Sequence, residues 1–328
     1  MAATLDPARR AALNEVRLTA LIGDDGGSAT DARAPLGAGA GVLAADGTAW
    51  VLLADLPDRG PDRQLGAALA FAVRNDAAAL HVVAEAGVGV LARRASWFAL
   101  PVRVSRLEGR SLVPAEAEAL PAGTAARDDH RALRELIAEG GASPVEEHGV
   151  VAGEVDGLEV CRVVDDPVSG EVRLEVGVGA HDRETFQLMH GDRPKVEALA
   201  DVVRSVAQHR RDGAPQHPLN QLAASRRLRA RLIDDPSPLG LAALVPVDPP
   251  LPRTNLKDQV PCAAVEPGTG TLVVCTTGID LDVVPWAGDA IARHGADRCL
   301  IAAPTRDVID VQQRLAALLR VPTSFVGV

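Results

Sequence analysis

A chain of 328 residues, 47% hydrophobic and without an apolar run near twenty residues, reads as a soluble globular protein of two or three compact units rather than a helical membrane protein. Its net charge of −10 speaks against coating nucleic acid with the whole surface, and three Trp, four Phe and no Tyr leave little for stacking unpaired bases. Four cysteines at wide spacings, with no Cys-x-x-Cys pair, fit buried reduced thiols in a cytoplasm, and no secretory signal opens the chain.

In chain order, residues 1–15 read as a short amphipathic helix, 16–23 as a strand and 24–35 as a polar, Gly-rich loop. Two apolar runs about Asp46-Gly47 predict a hairpin. A helix over 63–74, a strand over 79–84, a helix over 88–98 and a strand over 102–107 complete a β-β-α-β-α-β order. The C-terminal segment repeats that order between residues 259 and 328, which suggests an internal repeat. Between the copies, 128–140 reads as a helix, and 144–151, 157–164 and 171–178 as a three-stranded meander. A helix over 195–211, an Arg-rich helix over 219–233 and an extended Pro-rich connector over 234–254 follow. The division expected is 1–120, 128–233, the connector 234–254, and 255–328, an α/β chain of mixed sheets flanked by helices. The Arg bias (the only lysines are Lys195 and Lys257) with abundant Ala and Gly fits a GC-rich bacterial genome.

The stretch 171–184, EVRLEVGVGAHDRE, carries the chemistry. Glu159 and Glu175 stand within paired strands, where an unpartnered charge is costly. Helix, meander, helix, with acids on the second and third strands, resembles the PD-(D/E)xK or restriction-endonuclease-like superfamily. The resemblance implies that Glu159 and Glu175 bind one or two Mg or Mn ions that activate water on a phosphodiester, with Glu135 or Glu139 able to join them. The family's lysine position is here Gly177, which can neither hold a water through a side chain nor stabilise developing charge.

His181, Asp182, Arg183, Glu184 or Lys257 could stand in for that lysine as a migrated base or phosphate contact, and His181 and Asp182 near Glu175 could ligate a metal; equally, HDRE caps the strand exit and Lys257 lies in a loop. Residues 189–231 hold nine Lys/Arg against four acids. Arg226, Arg227, Arg229 and Arg231 are the densest part, able to follow a phosphate backbone or to form a solvated helix face. A rival motif, Gly87-Val88-Gly89-Val90-Leu91-Ala92 after a strand, matches G-x-G-x-x-A, with Glu108 as a ribose-binding candidate, although Glu85 sets a negative charge beside it.

Three readings follow. The first is a nuclease-like scaffold, weak or inactive in catalysis, that binds nucleic acid or a protein partner. The second is an active metal-dependent nuclease, and the third a Rossmann-type dinucleotide or small-molecule binder.

Overall fold

The computed structural model of the chain describes residues 6–55, 60–190, 194–211, 213–252 and 260–328. The α/β class expected from the sequence holds, with three sheets flanked by helices. Helix α1 (Pro7–Asp24) opens the chain. The strand expected at 16–23 is therefore corrected to helix. Ala11, Leu18 and Ile22 are buried at multiples of a helical turn, and Leu21 joins them, so one apolar stripe runs along the whole segment. The loop expected at 24–35 is also corrected. Strand β1 (Ala29–Leu36) alternates half-buried and exposed residues as a sheet edge does, and its small apolar residues disguised the period.

Strands β2 (Gly39–Ala44) and β3 (Thr48–Leu52) form the hairpin expected about Asp46-Gly47. Gly47 takes φ +85°, and Thr48 N donates to Asp46 Oδ1 at 2.8 Å. Then come α2 (Leu65–Arg74), β4 (Ala79–Ala84), α3 (Val88–Ala95), β5 (Val102–Glu108) and β6 (Ser111–Pro114). The sheet runs β1-β2-β3-β4-β5-β6, with β3, β4 and β5 parallel.

The central segment holds α4 (Asp128–Arg131), α5 (Arg134–Glu139) and a four-stranded antiparallel meander, β7 (Ser143–Glu147), β8 (Val150–Val155), β9 (Leu158–Asp165) and β10 (Val172–Val176). Three strands were expected here. The pair His148-Gly149 makes the additional turn, with φ +49° and +78°, and Asp156-Gly157 repeats that form with +44° and +76°. Positive φ at both central residues gives a turn whose twist suits an antiparallel hairpin. Helices α6 (Ala180–His190), α7 (Lys195–Arg210), α8 (Pro218–Gln221) and α9 (Ala224–Asp234) follow. The Arg-rich helix expected over 219–233 is thus two, broken where Ala223 takes φ +51°.

The third sheet runs β11-β12-β13-β14-β15, with β11 (Val245–Val247), β12 (Cys262–Val265), β13 (Leu272–Cys275), β14 (Cys299–Ala303) and β15 (Thr323–Gly327). Helix α10 (Val283–His294) precedes β14, and α11 (Asp310–Ala316) precedes β15. Strand β11 lies inside the stretch expected to be an extended connector.

Two compact units emerge. The first gathers the described parts of 1–120 with 279–299 and 306–325; the second gathers those of 121–278 with 300–305 and 326–328. The C-terminal segment, expected as a unit of its own, is divided between them. Within the first unit, α10 packs against α2 and α3, and α11 against α2. There Phe98 and Leu319 form an isolated antiparallel bridge. Ala99 N donates to Leu318 O at 2.7 Å and Arg320 N to Trp97 O at 2.9 Å, so the two chain stretches exchange equivalent bonds.

One charge cluster in that unit escaped the sequence reading. Asp289 on α10 is fully buried, and Arg93 and Arg94 on α3 both bind it, with Nε distances of 3.0 and 2.8 Å. Trp97 Nε1 donates to the same carboxylate at 3.1 Å.

His81 on β4 is 2% exposed, tilts against the Trp50 ring at 4.1 Å and shares a hydrogen bond with Ser105 Oγ at 2.8 Å. Burial, with the Arg103 charge, pushes its pKa down to about 4. The unfolded imidazole takes up a proton near pH 6.5, while the folded one resists protonation until about pH 4. The unfolded state therefore binds more protons in that window, and stability falls with pH through it, by up to about 3 kcal/mol. We expect His81→Gln to flatten that slope in urea unfolding between pH 7 and 4; an unchanged slope would assign the acid sensitivity elsewhere.

Candidate functional site

Glu159 and Glu175 do come together, on adjacent antiparallel strands of the second unit. What joins them is a cation. Arg183, in the first turn of α6, donates from Nη1 to Glu159 Oε1 at 3.0 Å, and its Nε lies 3.5 Å from Glu175 Oε2. Arg162 grips Glu159 with two hydrogen bonds of 2.9 Å, and Arg173 donates to Glu175 at 2.8 Å. Three guanidiniums therefore attend two carboxylates. Glu159 is 2% exposed, so this pairing offsets a desolvation cost of several kcal/mol.

That arrangement differs from an open carboxylate pair. A divalent ion would have to displace Arg162 or Arg183 from short, charge-assisted bonds. Among the described residues, no group of three or more His, Cys, Asp and Glu side chains is placed to hold a metal. Glu135 and Glu139 on α5 are exposed.

The glycine at the lysine position has a structural cause. Gly177 takes φ +140°, and a methyl placed on it would stand 2.8 Å from Arg183 N and 3.0 Å from Asp182 C. The first turn of α6 rests on this glycine, so the geometry that brings Arg183 to the acids also excludes a side chain from position 177.

His181 and Asp182 belong to the start of α6. Asp182 Oδ2 accepts from Val178 N at 2.7 Å, tying helix to strand, and His181 is exposed. HDRE thus closes the strand exit. Lys257 lies outside the described residues.

The basic stripe is corrected in part. Arg226 and Arg229 on α9 are 6% and 1% exposed and face the sheet. Arg226 pairs with Glu147 and Glu154; Arg229 reaches Glu147 at 2.7 Å and Glu154 at 3.3 Å. Burial alone pushes the Glu147 carboxyl up, yet these two guanidiniums hold it below its ordinary range. Arg227 Nε lies 2.7 Å from Asp156 Oδ2, and Arg231 is exposed. Helical spacing placed 226 and 229 on one ridge, but that ridge faces inward, where no phosphate backbone reaches. Gly157 shows how close the contact is, since a methyl there would stand 2.3 Å from the Arg226 carbonyl carbon. Glu147, Glu154, Glu159, Arg162 and Arg226 together line a cavity of about 120 Å³.

Spacing held a signal for part of this. Arg173 and Glu175 stand two apart on one strand and share a face. The position of Arg183 just after the third strand marks it only as one candidate for the missing lysine, and nothing in the local pattern shows that it bridges the two acids.

The G-x-G-x-x-A motif does open α3, with Gly87 at φ +67°. The approach to this helix N-terminus is occupied, however. A methyl on Gly89 would stand 3.0 Å from Glu118 Cβ, Glu118 N donates to Gly89 O at 3.0 Å, and Asp62 lies over Gly87. Glu85 pairs with Arg17 at 2.7 Å, and Glu108 is exposed. Acidic side chains thus stand where a pyrophosphate would need donors.

Among the described residues, no helix is long and apolar enough to cross a membrane. Comparisons with protein-family models, with curated proteins and with solved structures returned no match.

Proposed function

We propose that this chain is a non-catalytic assembly module of the cytoplasm, built on a nuclease-like α/β scaffold, whose partner is another protein. The observation that carries the reading is Arg183, whose guanidinium bridges Glu159 and Glu175 at the place where a nuclease would hold metal ions. A positive group fixed between the acids supplies charge balance without a bound water to activate. Two of the four arginines that would have met a phosphate backbone are buried in ion pairs, and a chain of net charge −10 is repelled by a polyanion overall. We read the flanking α/β segments as related copies of one unit. Support comes from two sheets that each run in chain order and from the reciprocal bonds about Phe98 and Leu319.

The test is a cleavage assay on single- and double-stranded DNA and RNA with magnesium or manganese, with anisotropy binding at low salt. We expect neither cleavage nor tight binding. Metal-dependent cleavage that disappears in Glu175→Ala would replace this reading with the active nuclease. Gly177→Lys discriminates further. In an active-site lineage that lost only its lysine, the substitution would restore some cleavage. Here the backbone angle and the Arg183 contact make it destabilising instead, by about 1–3 kcal/mol, visible as a lowered melting temperature.

A further inference from the structure

We infer that Cys262 and Cys275 form an oxidisable dithiol, which a peroxide converts to a cross-strand disulfide. The two residues are direct partners on antiparallel β12 and β13, Cys262 beginning its strand and Cys275 ending the other. Their side chains share a face. Both belong to one apolar cluster with Ala264 and Val273, packed on Leu232 of α9 and on Leu244.

The ladder sets their spacing. Glu266 N donates to Thr271 O at 3.0 Å, which makes 266 and 271 a hydrogen-bonded pair. Such pairs alternate along an unbroken register, so 264 with 273 and 262 with 275 are of the same kind. Hydrogen-bonded partners stand about 5.5 Å apart at Cα. That lies within the roughly 4.4–6.8 Å that a disulfide spans. Bridging such a pair needs some twist of the strands, and a strained bridge is a readily reduced one.

Their surroundings separate this pair from the other two cysteines. Burial pushes the Cys262 thiol up, but a hydrogen bond from Cys275 and the charges of Arg229 and Arg226 more than offset it and bring it below its ordinary range. Arg229 Nη1 lies 3.4 Å from Ala263 O, beside the pair. At Cys161 burial outweighs a backbone hydrogen bond from Gly153 and the Arg183 charge, at Cys299 burial acts alone, and both thiols are pushed up to about 12.

The chemistry balances with hydrogen peroxide as the oxidant. The Cys262 thiolate attacks one peroxide oxygen and the O–O bond breaks. This leaves a sulfenic acid on Cys262 and hydroxide, which leaves as water. The Cys275 sulfur then attacks the Cys262 sulfur and displaces the hydroxyl as a second water. Two thiols lose two electrons, which the peroxide accepts. Both side chains are buried, at 1% and 0% exposure, so the reaction passes through opening of this strand end.

The test treats the native full-length chain with hydrogen peroxide, then counts thiols with a chromogenic disulfide reagent in denaturant. The titre should fall from four to two, with peptide mapping placing the bridge between 262 and 275. A monothiol such as glutathione should reopen it without denaturant. In Cys275→Ser the oxidation should stop at a Cys262 sulfenic acid that a 1,3-dione traps, at least about tenfold faster than any adduct on Cys161 or Cys299. Should that variant fold poorly by circular dichroism, Cys275→Ala serves the same purpose. The inference is overturned by a titre that stays at four in folded, peroxide-treated protein, or by a bridge that involves Cys161 or Cys299.

Discussion

Asp289→Asn should lower the stability of the first unit by about 3–5 kcal/mol, the cost of leaving buried charges without their counter-charge. Asp289 is fully buried and takes hydrogen bonds from Arg93 Nε at 3.0 Å and Nη2 at 3.3 Å, from Arg94 Nε at 2.8 Å and from Trp97 Nε1 at 3.1 Å. Asparagine fills nearly the same volume, so packing is conserved and the effect isolates the charge. Its amide nitrogen would also point a donor at donors. Among the described residues, Arg93 keeps the backbone carbonyls of Glu118 and Ala119, and Arg94 that of Asp62. Thermal unfolding followed by circular dichroism reads the loss. A melting temperature within a degree or two of the parent would show that solvent reaches the cluster.

The largest effect is expected from Arg226→Gln combined with Arg229→Gln. The double variant leaves Glu147 and Glu154 buried against α9 without either guanidinium, and the loss should be on the order of 4 kcal/mol or more. Its pH dependence has a definite sign. With the cations gone, burial is left to raise the Glu147 carboxyl pKa unopposed, so the folded variant takes up a proton that the unfolded chain does not. The variant should therefore recover stability as pH falls from 7 towards 5. Urea titrations at the two pH values check this. A double variant as stable as its parent at pH 7 would return these arginines to the surface and revive a phosphate-binding stripe.

How much of this the sequence disclosed depended on the range of the interaction. The hairpin at Asp46-Gly47 was legible because the turn is specified by its own two residues. Asp156-Gly157 takes a related turn, whereas His148-Gly149 carries a weaker signal because histidine is an uncommon first residue there. Strand β1 hid because alanine carries too little hydrophobicity to mark a period. The acid pair was legible as an anomaly, two carboxylates within strands, but its resolution was not. Arg183 reaches Glu159 from 24 residues away, through a helix whose start depends on Gly177. The arginines of α9 failed for a related reason. Their spacing defines a face, and only the position of Glu147 and Glu154 on other strands decides that this face is buried.

The bridge between Phe98 and Leu319 has a consequence for synthesis on the ribosome. The N-terminal sheet leaves the exit tunnel complete, but the helices that cover α2 and α3 begin only at residue 283, about 170 residues after its last strand. At the ~5–20 residues per second of translation, that interval lasts roughly 10–30 s. Throughout it Arg93 and Arg94 wait for Asp289, and the faces of α2 and α3 that meet α10 and α11 stay open. Slower translation between residues 120 and 280 would lengthen that exposure.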